Sequence, residues 1–214
     1  MTTPDHENQP ILTGGAPLAD ATAAVILLHG RGSRAQDIIP LAQQLPHKNV
    51  AYLAPQADGN AWYPRSGFAP LEVNEPYLTS ARNTIAALIQ KVTGAGIPLE
   101  KLFLGGFSQG ACLASEYVGE NAKRYGGLFV LSGAMMGPMD REHGFTGSLD
   151  GMPVFIGGVD NDSWVNPAQF ELTRDVLAAL GAAVTLQILE GSQHTIRESE
   201  LAHVRAMIAS AGGV

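Results

Sequence analysis

Residues 101–120 read KLFLGGFSQGACLASEYVGE, and this stretch decides the fold. Its opening, Lys101–Gly106, is a short apolar run closed by glycines, the pattern of a strand covered on both faces. Its close, Ala111–Glu120, predicts a helix. Between them, Gly106, Phe107, Ser108, Gln109 and Gly110 match Gly-x-Ser-x-Gly. In a strand-to-helix turn of this kind the serine sits on strained backbone with its hydroxyl projecting, and side chains at the two glycines would collide with neighbouring backbone. The serine also stands at a helix N-terminus, where unpaired amides and the positive end of the dipole favour developing negative charge. In a chain with 25 glycines the pentapeptide alone is a common pattern, so its placement after a strand and before a helix is what gives it meaning.

Working outward, similar apolar runs recur at Ala23–Leu28 (AAVILL), Val50–Ala54, Gly127–Gly133, Met152–Gly158 and Ala183–Leu189, with a short edge strand expected within Ile11–Asp20. Helical stripes lie between them. Ile85, Leu88, Ile89 and Val92 fall at i, i+3, i+4 and i+7, and Phe170, Thr173, Leu177 and Leu180 repeat a similar spacing. Asn166 followed by Pro167 is a helix start signal. A last helix over Glu198–Ala209 carries Leu201, Val204 and Ile208 on one face. The alternation predicts a mostly parallel, doubly wound α/β sheet flanked by helices, with its site in the loops at the carboxyl ends of the strands. Two such loops are long, 55–75 and 133–151, and long loops in compact domains are usually functional or mobile. Residues 1–10 read as a flexible polar tail and 11–214 as a single domain.

Composition sets bounds on partners. With 214 residues, 45% hydrophobic and 15% charged, the chain can bury a sizeable core and is not disordered. A formal net charge of −7 gives no basic footprint for nucleic acid or anionic membrane, and it slightly favours neutral esters over free carboxylates. Cys112 is the only cysteine, so no internal disulfide forms. The polar start MTTPDHENQP and the lack of a long apolar run point to a cytoplasmic protein. A homodimer is left open.

Chemistry beyond the serine is sought downstream. His194, in LEGSQH, follows the strand Ala183–Leu189 and precedes the last helix, where an imidazole can take the Ser108 proton and return it to a leaving group. The strand Met152–Gly158 runs into VDNDSWVN, which offers Asp160 and Asp162 to hold the imidazole tautomer. Spacing leaves both open. Upstream, the strand Ala23–Leu28 ends in His29, Gly30, Arg31 and Gly32, which makes the backbone amides of Arg31 and Gln109 the candidate oxyanion donors. His29 is expected to brace this loop rather than carry a proton. Trp62, Tyr63, Phe68, Met135 and Met136 are the candidate pocket walls.

LLHGRGS, GGFSQGACLA, VDNDSWVN and LEGSQH, in this order over nearly the full length, resemble the phospholipase/carboxylesterase family of α/β hydrolases, which includes the acyl-protein thioesterases. The resemblance implies a small single-domain esterase without a separate cap domain that cleaves carboxylic esters and often thioesters with no cofactor; an acyl-enzyme and no metal are expected. Its acid segment, Asp-x-x-Val-Pro, is matched by Asp162 to Asn166, which implies Asp162 as acid. Ser163 and Asn166 depart from the family pattern, with Pro167 one place later, so Asp160 stays the alternative. AWYP (61–64) and NEPYLTSA (74–81) are similar to a bacterial subgroup. A protein that kept the fold as a small-molecule binder is the competing class. A lactonase with a cysteine nucleophile fits poorly, because Cys112 lies four residues beyond Ser108.

Overall fold

A computed structural model of the protein describes residues 4–46 and 48–212. Its strands are β1 (Ile11–Gly15), β2 (Ala23–Leu28), β3 (Val50–Pro55), β4 (Leu102–Phe107), β5 (Gly127–Leu131), β6 (Pro153–Val159) and β7 (Ala183–Leu189). They form one sheet in the order β1-β3-β2-β4-β5-β6-β7. β1 pairs antiparallel with β3, and the other neighbours are parallel. The helices are α1 (Ala35–Ile38), α2 (Tyr77–Gly94), α3 (Gln109–Glu120), α4 (Pro167–Ala179) and α5 (Glu198–Gly212). This is the α/β-hydrolase fold.

Side-chain alternation splits the interior into two cores. On β2, Ala24, Ile26 and Leu28 face one layer, while Ala23, Val25 and Leu27 face the other. The first layer is covered by α2, through Leu78, Ile85 and Leu88, and by α3 and α4; the second is covered by α1 and by α5 through Leu201, Val204 and Ile208. Helix spacing explains the cover: the buried apolar positions of α2 recur as 78, 81, 85, 88 and 92. The start of α4 follows the sequence signal, with Asn166 accepting from the Gln169 amide and Pro167 in the first turn.

Two differences from the sequence reading have physical causes. The run Gly127–Gly133 stops as a strand at Leu131 because Ser132 adopts a φ of 50°, outside the extended region. β7 is only partly covered, since it is the last strand of the sheet and has one neighbour.

Of the expected tail, residues 1–3 lie outside the described residues, and the segment that follows is tied down at one point. His6 is buried; its amide donates to Ser80 Oγ (3.2 Å), and its ring is bonded to the backbone of residues 58 and 62. Polar composition suggests a solvated tail only while no partner is known, and here the loop after β3 supplies one.

The chain leaves β2 for α1 and the returning strand β3, and leaves β4 for α3 and the advancing strand β5. The crevice between β2 and β4 is therefore the topological switch point, where ligands of such sheets bind. Among the described residues, no helix is long and apolar enough to cross a membrane.

Candidate active site

Ser108 stands at the switch point, between β4 and α3, with φ 54° and ψ −120°. A non-glycine residue there is strained by roughly 1–3 kcal/mol and persists only where its surroundings over-determine it. They do so here. The Ser108 amide donates to Leu131 O (2.9 Å), and the next strand end repeats the stitch, with the Ser132 amide donating to Gly157 O (2.8 Å). A Cβ on Gly106 would meet Leu28 O at 2.4 Å, and one on Gly110 would meet Leu28 O at 2.3 Å and His29 O at 2.6 Å. Both glycines are required because the end of β2 lies directly against the turn.

His194 and Asp162 reach the same point from the ends of β7 and β6. His194 Nε2 lies 2.8 Å from Ser108 Oγ, and its Nδ1 lies 2.7 Å from Asp162 Oδ2. The ring packs on Phe107, with centroids 4.9 Å apart. The Asp162 side chain is buried, and its other oxygen, Oδ1, accepts from the Trp164 amide (2.7 Å) and the Val165 amide (3.3 Å). A carboxylate so held presents only an acceptor to Nδ1, so Nδ1 carries the proton and Nε2 is free to accept from the serine hydroxyl. Asp160 is not part of this relay. It is exposed, and its Oδ1 accepts from the Gly191 amide (2.9 Å), bracing the loop after β7.

These residues open into a cavity of about 580 Å³ whose lining includes Gly30, Arg31, Tyr63, Phe68, Ser108, Gln109 and His194. Gln109 opens α3, so its amide is one of the helix's unpaired first-turn donors. Its side chain is fixed from both ends: Oε1 accepts from the Trp62 amide (2.8 Å) and Nε2 donates to Tyr63 O (2.8 Å). The Arg31 guanidinium donates to Pro64 O (2.8 Å) and Arg65 O, which ties the Arg31 backbone to the loop after β3. His29 braces the same region. Its Nε2 accepts from the Ala57 amide (3.0 Å), its Nδ1 donates to Gly30 O (2.8 Å), and burial lowers its pKa below the ordinary imidazole value.

The expected walls divide. Tyr63 and Phe68 line the cavity, whereas Trp62, Met135 and Met136 do not. Trp62 is buried, with its Nε1 donating to His29 O (2.9 Å). The Met135 amide donates to Thr173 Oγ1 (2.7 Å) and the Met136 amide to Glu116 Oε2 (3.2 Å), drawing this segment onto α3 and α4 and its side chains into the core. Sequence reasoning missed Phe107, Ser132, Trp164 and Val165, all of which line the cavity. Trp164 is 72% exposed at the rim. Its place two residues after the acid was the available signal. Cys112 is a buried residue of the cavity lining, with burial raising its thiol to about 11, so it stays protonated and is a poor nucleophile. Among the described residues no cluster of His, Cys, Asp and Glu could hold a metal ion.

The chain is 26% identical to the lysophospholipase-like protein 1 of Mus musculus, with 90% of this chain and 88% of that protein covered. It is 28% identical to acyl-protein thioesterase 1 of Candida albicans, covering 87% and 90%. A phospholipase/carboxylesterase crystal structure from Dyadobacter fermentans superposes with a TM-score of 0.91 at 37% identity, over 97% of this chain and 98% of that one. The family model described as Phospholipase/Carboxylesterase matches residues 15–211, and the chain belongs to that family of ester hydrolases.

Proposed function

We propose that the protein hydrolyses carboxylic esters through an acyl-enzyme on Ser108, with His194 as general base and acid and Asp162 as the orienting carboxylate. The observation that carries this reading is the unbroken relay Ser108–His194–Asp162, at 2.8 and 2.7 Å, opening into the cavity. Ser108 Oγ attacks the carbonyl carbon as its proton passes to His194 Nε2. The carbonyl oxygen becomes an oxyanion facing the Arg31 and Gln109 amides, and preorganised donors of this kind are typically worth about 10² to 10³ each in turnover. Collapse expels the alcohol, which takes the proton from Nε2. Water then attacks the acyl-enzyme, gives its proton to Nε2, and the carboxylic acid leaves as Ser108 is reprotonated.

A thioester would follow the same path with a thiolate leaving group, and the thioesterase among the relatives supports including it. Side-by-side hydrolysis of matched ester and thioester substrates separates the two. The reading itself is tested with a fluorophosphonate probe: a single adduct mapped to Ser108 by mass spectrometry is expected, and an unlabelled folded protein rejects it.

A further inference from the structure

The oxyanion side of the site does not rest on the sheet alone. The Trp62 amide fixes Gln109 through Oε1, and Trp62 is in turn held from outside by the N-terminal segment. His6 Nδ1 accepts from the Asp58 amide (2.8 Å), and His6 Nε2 donates to Trp62 O (3.1 Å). The ring lies 5.5 Å from the Trp62 ring and 6.3 Å from that of Tyr77, and the His6 amide is anchored on Ser80 of α2. One buried imidazole thus clamps both ends of the 58–62 turn, with one ring nitrogen required as acceptor and the other as donor. Only the neutral ring meets both requirements.

We infer that His6 is a positioning residue for turnover: its neutral ring holds the 58–62 turn, the turn holds Gln109, and Gln109 places the amide that faces the oxyanion. This rests on the esterase reading above. The charged groups facing His6 are the carboxylates of Asp5, Glu7 and Asp58, with His29 further in; burial outweighs the carboxylates and lowers the His6 pKa. Protonation at Nδ1 would place two donors, the ring N–H and the Asp58 amide, against each other and open the clamp.

The test compares wild type, His6→Ala and His6→Gln, whose amide oxygen and nitrogen can replace the two ring nitrogens. Because the interaction concerns an oxyanion donor, the change should fall on kcat rather than KM. We expect His6→Ala to lose about tenfold or more in kcat, below the full loss of one donor, with KM nearly unchanged, and His6→Gln to recover most of it. A folded His6→Ala with kcat within twofold of wild type overturns the inference, as does a folded His6→Gln as slow as His6→Ala. Long-range ¹H–¹⁵N spectra of the wild-type protein need no variant: a neutral Nε2–H tautomer at His6 is expected, and an Nδ1–H tautomer overturns it. A wild type that neither labels at Ser108 nor turns over rejects the esterase reading and this inference with it. Labelled, active wild type beside an unaffected His6→Ala rejects only the role of His6.

Discussion

Asp162→Asn is a substitution whose consequence follows from bonds already in place. Asp162 Oδ1 receives two backbone amides, from Trp164 and Val165, while Oδ2 receives the His194 Nδ1–H. An asparagine here has one oxygen, and the two amide donors fix it at the Oδ1 position. The Asn NH₂ then faces His194 Nδ1, which must become an acceptor, so the ring proton moves to Nε2. Nε2–H points at Ser108 Oγ and can no longer take its proton. The geometry survives while the tautomer is wrong, and a loss of this kind is on the order of 10⁴ in kcat. At about 1.36 kcal/mol per decade that is roughly 5 kcal/mol of lost transition-state stabilisation. Asp160→Asn keeps an oxygen for the single Gly191 amide and should stay within about threefold of wild type, a change of less than about 0.7 kcal/mol. Steady-state hydrolysis of p-nitrophenyl butyrate measures both, with a thermal melt to show that each variant folds. An Asp162→Asn enzyme within tenfold of wild type, or an Asp160→Asn enzyme that is the more impaired, would refute the tautomer reasoning.

Other consequences can be checked with the same assay and melts. Ser108→Ala and His194→Ala should each remove nearly all turnover, about 10⁵-fold or more, and the double variant should be little worse than either single one, since relay members act as a unit. Gly110→Ala drives a methyl to 2.3 Å from Leu28 O and 2.6 Å from His29 O, both backbone atoms; a stability loss of at least about 1–3 kcal/mol and a large loss of kcat are expected, and an unchanged melting temperature would contradict the packing. Trp164→Ala should leave the melting temperature within about 1 °C, because an exposed side chain contributes little to stability, while raising KM most for the longest acyl esters; equal effects at all chain lengths would remove Trp164 from the binding surface. Burial lowers the pKa of His6 and His29, so between those depressed values and 6.5 the unfolded chain holds more protons than the native one. Their effect is to reduce stability as the pH falls through that window and to leave it untouched above it. The decline should be shallower in His6→Gln, and parallel melting curves from pH 7 to 5 would exclude His6 from the linkage.

The parts of the site that were legible in the sequence are those fixed by strand order. Ser108, Asp162 and His194 each follow a buried or half-buried apolar run, and a parallel sheet delivers the residue after each run to the same edge. Spacing could not separate Asp160 from Asp162, because the choice depends on a turn in which Oδ1 of the second aspartate gathers the next two amides. The walls were harder. Trp62 and Tyr63 are neighbours of the same chemical kind, yet the Trp62 side chain is turned away onto His29 O while Tyr63 lines the cavity, a difference set by a partner 33 positions upstream. The buttress by His6 left no local trace, since its partners lie more than 50 positions away.

The two halves of the site are held by different means, and the glycines of GFSQG join them. On one side, the strand ends from β4 to β6 are stitched by amides of successive loops, Ser108 to Leu131 and Ser132 to Gly157, which sets the reach from the hydroxyl to the imidazole and its carboxylate. On the other side, the Arg31 and Gln109 amides depend on loops clamped by His29, Trp62 and His6. In the proposed mechanism a carbonyl carbon attacked by Ser108 would present its oxygen to the second half while the hydroxyl proton leaves through the first, which requires their separation to be fixed to within about half an ångström. The contact that fixes it is backbone on backbone: Leu28 O lies against Gly106 and Gly110, with no side chain between to flex. The pentapeptide therefore does more than permit a tight turn. It brings the end of β2, and with it the proposed oxyanion loop, to a set distance from the serine, which is why a methyl at Gly110 should damage turnover even in molecules that still fold.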